Sequence, residues 1–160
     1  MNIGITGHRT LRANDWTWTD EELRLFLRTL QMPLLAWTSL APGADQHFAE
    51  TALAEGAKLH VVLPFDSYED TLTDRQDREE YRRLLRLASK VDVLQSTGNV
   101  DQDYYNAGRE IVRQCNGIVA VWNGEPARGL GGTADIVSFA RLLGKPVHWI
   151  NPVMKRSSAL

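Results

Sequence analysis

Short apolar runs alternate with helical patterns along the whole chain. Runs at 2–6, 34–39, 58–63, 91–94, 118–122 and 147–150 are rich in Val, Ile, Leu and Trp and have the length of strands. Between them, apolar residues recur three and four positions apart, the spacing that gives a helix one buried face. In the first helix Leu23, Phe26, Leu27 and Leu30 form that stripe, Thr19 with Glu22 makes a capping box at its start, and Pro33 stops it. A second helix is predicted over 45–54, ended by Gly56. A third, over about 74–89, turns Tyr81, Leu84, Leu85 and Ala88 inward and a dense run of Arg, Asp and Glu to solvent. The fourth covers 101–115 with Gly117 as its C-cap, and the fifth 134–143, closed by Gly144 ahead of Pro146. Strands alternating with helices predict an α/β domain with a mostly parallel sheet and helices on both faces. The polar segment 151–160 is expected to form a flexible C-terminal tail.

Composition narrows the function classes. With 160 residues, 43% of them hydrophobic, the chain can build one well-buried core, whereas two domains would each fall short. A net charge of -2 exerts no global pull on a polyanion or an anionic membrane. A nucleic-acid partner would need a local basic patch. No apolar stretch approaches the roughly 20 residues of a membrane helix, and the N-terminus has no signal pattern, so a cytoplasmic protein is expected. The lone cysteine, Cys115, precludes an intrachain disulfide and reads as an inert thiol on the buried side of a helix end. His8, His47, His60 and His148 show no ligand spacing, so no metal is expected. No serine sits in a nucleophile elbow, and no Walker A lysine follows a glycine loop, which argues against an ATPase.

Three glycine loops follow strands: Gly4-Ile5-Thr6-Gly7-His8-Arg9, Leu40-Ala41-Pro42-Gly43-Ala44-Asp45 and Gly131-Gly132-Thr133. Glycines let the backbone approach an anion, and the free N–H groups of a helix start donate to it. In open parallel sheets such loops converge at the carboxyl ends of the strands. Arg9 can pair with a phosphate in bidentate fashion or remain solvated. Asp45 stands at a helix start, where a plain cap and a ligand contact account for it equally. Asp135, one turn into the fifth helix, would repel a phosphate on those amides and suits a ribose hydroxyl or a cap. The long connection 123–133 offers Glu125, for a sugar or for solvent, and Arg128, which could clamp a phosphate against the Gly132 and Thr133 amides. Trp16 and Trp18, in a polar loop over 10–19, could stack on a base or pack against the first helix. We read them as packing. Phe65, Asp66, Tyr68, Tyr104, Tyr105, Asn106 and Arg109 are further candidates for the same cleft.

Taken with Ser39, with Leu63-Pro64-Phe65 and with Ala120-Val121-Trp122, these loops resemble the SLOG group of the LOG/DprA superfamily over residues 1 to about 150. The resemblance implies a single Rossmann-like three-layer domain over 1–150, with no cofactor. It implies a nucleotide or nucleotide-derived ligand, ADP-ribose-like or a nucleoside monophosphate, held by Gly7, His8, Arg9, Gly43, Asp45, Arg128, Gly131, Gly132 and Thr133. SLOG domains serve as sensors of such ligands, whereas LOG enzymes hydrolyse the N-glycosidic bond of nucleoside 5'-monophosphates. That enzymatic branch needs a glutamate three positions after its loop threonine, where this chain has Ile136. Asp135 is one residue earlier and turned by about 100° on the helix. Ala107 stands opposite the branch's helical arginine. Asp135 and Glu125 would therefore be catalytic only if the chain is an enzyme, and a sensor or carrier is the expectation. The superfamily also implies a homodimer paired through helices. DprA-like binding of single-stranded DNA is a third reading, against which the acidic pI and the lack of a basic stripe argue.

Overall fold

The computed structural model describes residues 1–126 and 129–160. The elements run β1 (Asn2–Gly7), α1 (Ala13–Arg28), β2 (Leu35–Thr38), α2 (Ala44–Ala54), β3 (Lys58–Leu63), a 3-10 turn (Tyr68–Thr71), α3 (Arg75–Leu87), β4 (Lys90–Val93), α4 (Val100–Gln114), β5 (Gly117–Val121), α5 (Thr133–Leu142), β6 (Val147–Asn151) and β7 (Arg156–Ala159). All seven strands form one sheet in the order β4-β3-β2-β1-β5-β6-β7, parallel except for β7. The architecture is the expected α/β three-layer fold of Rossmann type.

Alternation along the strands sorts the core into two layers. Ile3, Ile5, Leu59 and Val61 pack under Leu23 and Leu27 of α1, Phe48 and Ala52 of α2 and Leu84 of α3. On the opposite face Ile118, Ala120 and Val147 meet Val112 of α4 and Ile136, Val137 and Ala140 of α5. Trp37 and Val62 meet Ala107, Ile111 and Cys115 there. Cys115 is a buried free thiol whose pKa burial drives upward, which makes it inert as expected. No described helix is long and apolar enough to cross a membrane.

Three expectations require correction. The first helix starts at Ala13 rather than Thr19, and no side chain caps it. Thr19 is fully buried inside it and donates to the Asp15 carbonyl at 2.7 Å, so it makes no capping box with Glu22. The apolar stripe of Leu23 and Leu27 continues backward through Thr19 to Trp16, and that packing holds the extra turns. Gly117 opens β5 and is no C-cap. A Cβ there would lie 2.9 Å from the Pro146 carbonyl, because parallel pairing brings β6 against it. Finally, the segment expected as a tail carries β7, antiparallel to β6. Lys155 and Ser157 tie this hairpin to Asp15 and Glu22 of α1, each at 2.5 Å.

Candidate functional site

β1 lies at the centre of the sheet, between β2 and β5. From it the chain winds outward through β2, β3 and β4, and α4 then carries it back across the sheet to β5. The loops after β1 and β5 therefore diverge at their carboxyl ends and leave a crevice, the topological switch point. A cleft of about 700 Å³ occupies it.

Its floor is the turn after β1. The His8 N–H donates to the Val121 carbonyl at 2.9 Å, and the His8 carbonyl accepts from Ala44 at 3.0 Å, so the turn is pinned between β5 and α2. Glycine is required at both contacts. A Cβ on Gly7 would meet the Ala44 Cβ at 2.5 Å, and one on Gly43, whose φ is +82°, would meet the Arg9 carbonyl at 2.3 Å. Across the cleft, the Asn123 N–H donates to His8 Nε2 at 3.0 Å, which requires that nitrogen to be unprotonated.

One wall is the start of α5. Gly132 caps it without a side-chain bond, and Gly132, Thr133 and Ala134 line the cleft. Among the described residues no acceptor takes the N–H of these three. The helix dipole and these donors make the wall receptive to an anion. Asp135 does not line the cleft. Its carboxylate accepts the Gly131 N–H at 3.0 Å and closes the glycine turn onto its own helix.

Arg9 is exposed at the cleft, its guanidinium carbon 5.4 Å from the centroid of the Tyr104 ring. It makes no ion pair or hydrogen bond among the described residues, so its five donors are available. Asp45 also reaches the cleft but is only 8% exposed. It accepts from the Thr38 hydroxyl and the Ser39 N–H, both at 2.9 Å. Burial pushes its pKa up, opposed by those two bonds and by the Arg9 charge. The nearby Tyr68 phenol is likewise pushed up, first by burial and then by the Asp45 charge.

The structure thus brings Gly7, His8, Arg9, Asp45, Glu125, Gly131, Gly132 and Thr133 to one cleft. Gly43 stands behind the Arg9 turn, in a second groove between α1, α2 and α3. Arg128 lies outside the described residues. Tyr68 and Tyr104 line the cleft, whereas Arg109 stacks between Tyr105 and Phe139 on α4 and α5, with ring centroids at 5.4 and 4.7 Å. Trp16 belongs to α1, where it stacks on His47 at 4.1 Å and 7°. Trp18 packs against the core beneath Lys155.

Sequence reasoning missed the polar bonds that hold the long β5 loop. The Trp149 indole donates to the Trp122 carbonyl at 2.7 Å, the Trp122 indole to the Glu125 carbonyl at 2.8 Å, and Asn151 Nδ2 to the Asn123 carbonyl at 3.3 Å. Nothing in the local pattern of β6 marks Trp149 or Asn151 as supports of a loop 27 and 28 residues earlier. Among the described residues no group of three or more His, Cys, Asp or Glu could hold a metal.

Fold and site define a class: a Rossmann-like α/β protein with a glycine-loop cleft at the switch point of a mostly parallel sheet. The same fold occurs in DNA processing protein A (DprA) from Streptococcus pneumoniae, with a TM-score of 0.68 at 15% identity over 94% of this chain and 50% of that one. It occurs in the DprA of Helicobacter pylori, known for a single-stranded DNA binding mode, at TM-score 0.65 and 13% identity over 94% of this chain and 65% of that one. The molybdenum cofactor carrier protein of Chlamydomonas reinhardtii also shares it, at TM-score 0.57 and 18% identity over 92% and 74% of the two chains. This chain spans about half the length of the first of these and 65% of the second. No protein-family model and no curated protein sequence matches the chain. At these identities the likenesses show the shared fold, which is the fold that the LOG/DprA resemblance implied.

Proposed function

We propose that this chain is a cytosolic protein that binds a nucleotide or nucleotide-derived ligand in the switch-point cleft and acts as its sensor or carrier. One observation carries the reading: an uncapped helix start and an exposed arginine that makes no hydrogen bond or ion pair among the described residues line the same cleft. The first offers backbone donors and a favourable dipole to a phosphate, the second a bidentate charge. Trp122 and Tyr104 offer aromatic surface for a base beside them.

Binding is favoured over hydrolysis by the residues that would have to act. Ile136, where the enzymatic branch has its glutamate, is an apolar part of the cleft lining, and Asp135 is committed to the Gly131 amide. Glu125 is the exposed carboxylate left at the rim. Among the described residues the cleft wall at α5, formed by Thr133, Ala134 and Ile136, therefore offers no carboxylate to activate a water.

The test is mass spectrometry of small molecules released from the heat-denatured protein, followed by calorimetric titration with AMP, ADP-ribose and NAD. Recovery or binding of an intact nucleotide supports the sensor or carrier. Release of free base during titration would replace this reading with the phosphoribohydrolase, and Glu125→Gln and Asp135→Asn would then locate its base. Because a DNA-binding protein shares the fold, a near-neutral composition does not dispose of nucleic acid. Tight binding of single-stranded DNA, with affinity falling steeply as salt rises, would overturn the small-molecule reading.

A further inference from the structure

Asn151 is the last residue of β6 and only 1% exposed, a polar side chain with no place in the sheet pattern. Its amide is nonetheless spent on two separate segments. Nδ2 donates to the Asn123 carbonyl at 3.3 Å, and Oδ1 accepts from the Val153 N–H at 3.1 Å and the Met154 N–H at 3.0 Å. The first partner belongs to the β5 loop, the others to the turn between β6 and β7. Both segments reach the cleft, through Asn123 and Glu125 on one side and Val153 on the other. Val153 is 65% exposed, so no core packing holds it at that rim.

We propose that Asn151 is the positioning residue of the cleft: by holding the Asn123 carbonyl and the Val153 and Met154 amides at once, it fixes the β5 loop and the β6–β7 turn as a single wall. A side-chain amide carries a donor and an acceptor on one rigid plane and does this without ionising. The hold extends to the floor, because Asn123 in turn donates to His8 Nε2. It also makes the C-terminal hairpin, clasped to α1 through Lys155 and Ser157, part of the ligand site. The role rests on the nucleotide-binding reading for its consequence, but the anchoring itself can be measured without a ligand.

Asn151→Asp is the informative variant. An ionised carboxylate still accepts from Val153 and Met154 but faces the Asn123 carbonyl with a lone pair, so it releases the β5 loop and keeps the turn. A protonated carboxyl regains a donor in the position of Nδ2. In ligand-free protein near neutral pH, amide exchange at Asn123 and Glu125 should rise about tenfold in the variant relative to wild type, with Val153 and Met154 unchanged. The affinity for whichever of AMP and ADP-ribose the wild type binds should fall about tenfold. The differences are read near neutral pH, where the new carboxyl is ionised, because a proton on the His8 Nε2 that accepts from Asn123 would expose that amide in both proteins; confinement of the change to the β5 loop is what mere loss of packing would not show. Unchanged exchange at Asn123 and Glu125 would overturn the proposal, as would lost protection with full affinity. If the wild type binds neither probe, the nucleotide reading fails, while the exchange measurement still decides whether Asn151 holds the loop.

Discussion

Two helix starts in this molecule carry the same sequence pattern, a glycine turn after an apolar strand, and the fold uses them differently. At α2 the first donor is taken, although no acceptor among the described residues takes the Asp45 or Gln46 N–H. The Ala44 N–H is taken by the His8 carbonyl, and the Asp45 carboxylate is buried on Thr38 and Ser39. At α5 the glycine turn is closed by Asp135 alone, and the amides of Gly132, Thr133 and Ala134 face the cleft without an acceptor among the described residues. A glycine turn at a helix start therefore indicates an anion site only once its donors have been matched to acceptors. The first loop spends its leading donor on holding the β1 turn; the second has its three leading donors unspent at the cleft.

The sharpest way to test this contrast is to place a side chain at each glycine. Gly43→Ala should cost about 3 kcal/mol in urea unfolding, because the backbone is left-handed and the new Cβ meets the Arg9 carbonyl at 2.3 Å. A loss below about 1 kcal/mol would mean that the α2 start is not rigidly packed. Gly132, at φ -68° and ψ 168°, has a backbone conformation that any residue adopts. Gly132→Val should leave the unfolding midpoint in place and abolish nucleotide binding, and retained affinity would remove α5 from the site.

Arg9→Ala extends the comparison to side chains. Since Arg9 is exposed and makes no hydrogen bond or ion pair among the described residues, losing its contact with the Tyr104 ring should cost stability less than about 1 kcal/mol, while affinity for a phosphate ligand falls about thirtyfold, read by calorimetry. Asp135→Ala removes the bond to Gly131 and should cost about 1 kcal/mol of stability, with Asp135→Asn restoring it through its remaining carbonyl. If Asp135→Asn instead abolished a turnover, the binding-only reading would be lost.

The finest test is the pH dependence at α2. Burial raises the Asp45 pKa in the folded state, so the native protein holds that proton more tightly than the unfolded chain. The stabilisation is complete below the ordinary aspartate range and is lost as pH rises through the folded pKa. Asp45→Asn keeps an acceptor for Thr38 and Ser39 and cannot ionise. As pH rises through the ordinary aspartate range and beyond it, wild-type unfolding free energy should fall relative to this variant. Parallel curves would show that Asp45 titrates as freely as in the unfolded chain.

Much of the scaffold is legible in the chain because it depends on local spacing. Six strands and five helices follow from apolar periodicity, and Asp74, expected as the start of α3, indeed accepts from the Gln76 and Asp77 amides. The glycine loops were visible for the same reason, since a turn needs its glycine wherever it is folded. Errors came where a distant partner outweighed the local signal. Trp16, stacked on His47, extends α1 past its apparent capping box, and Pro146 turns Gly117 from a cap into a strand residue.

What the sequence by itself determined is the alternation of strands and helices, and hence the parallel sheet and the edge at which loops gather. Tertiary structure alone decided the strand order that puts β1 beside β5, the pairing of β7, which amides stay unmatched, and the hold of Asn151 on two loops. The physical reason is range. Periodicity and turn chemistry act over a few residues, whereas a hydrogen bond between Asn151 and Asn123, or between Asn123 and His8, exists only after the strands have been placed.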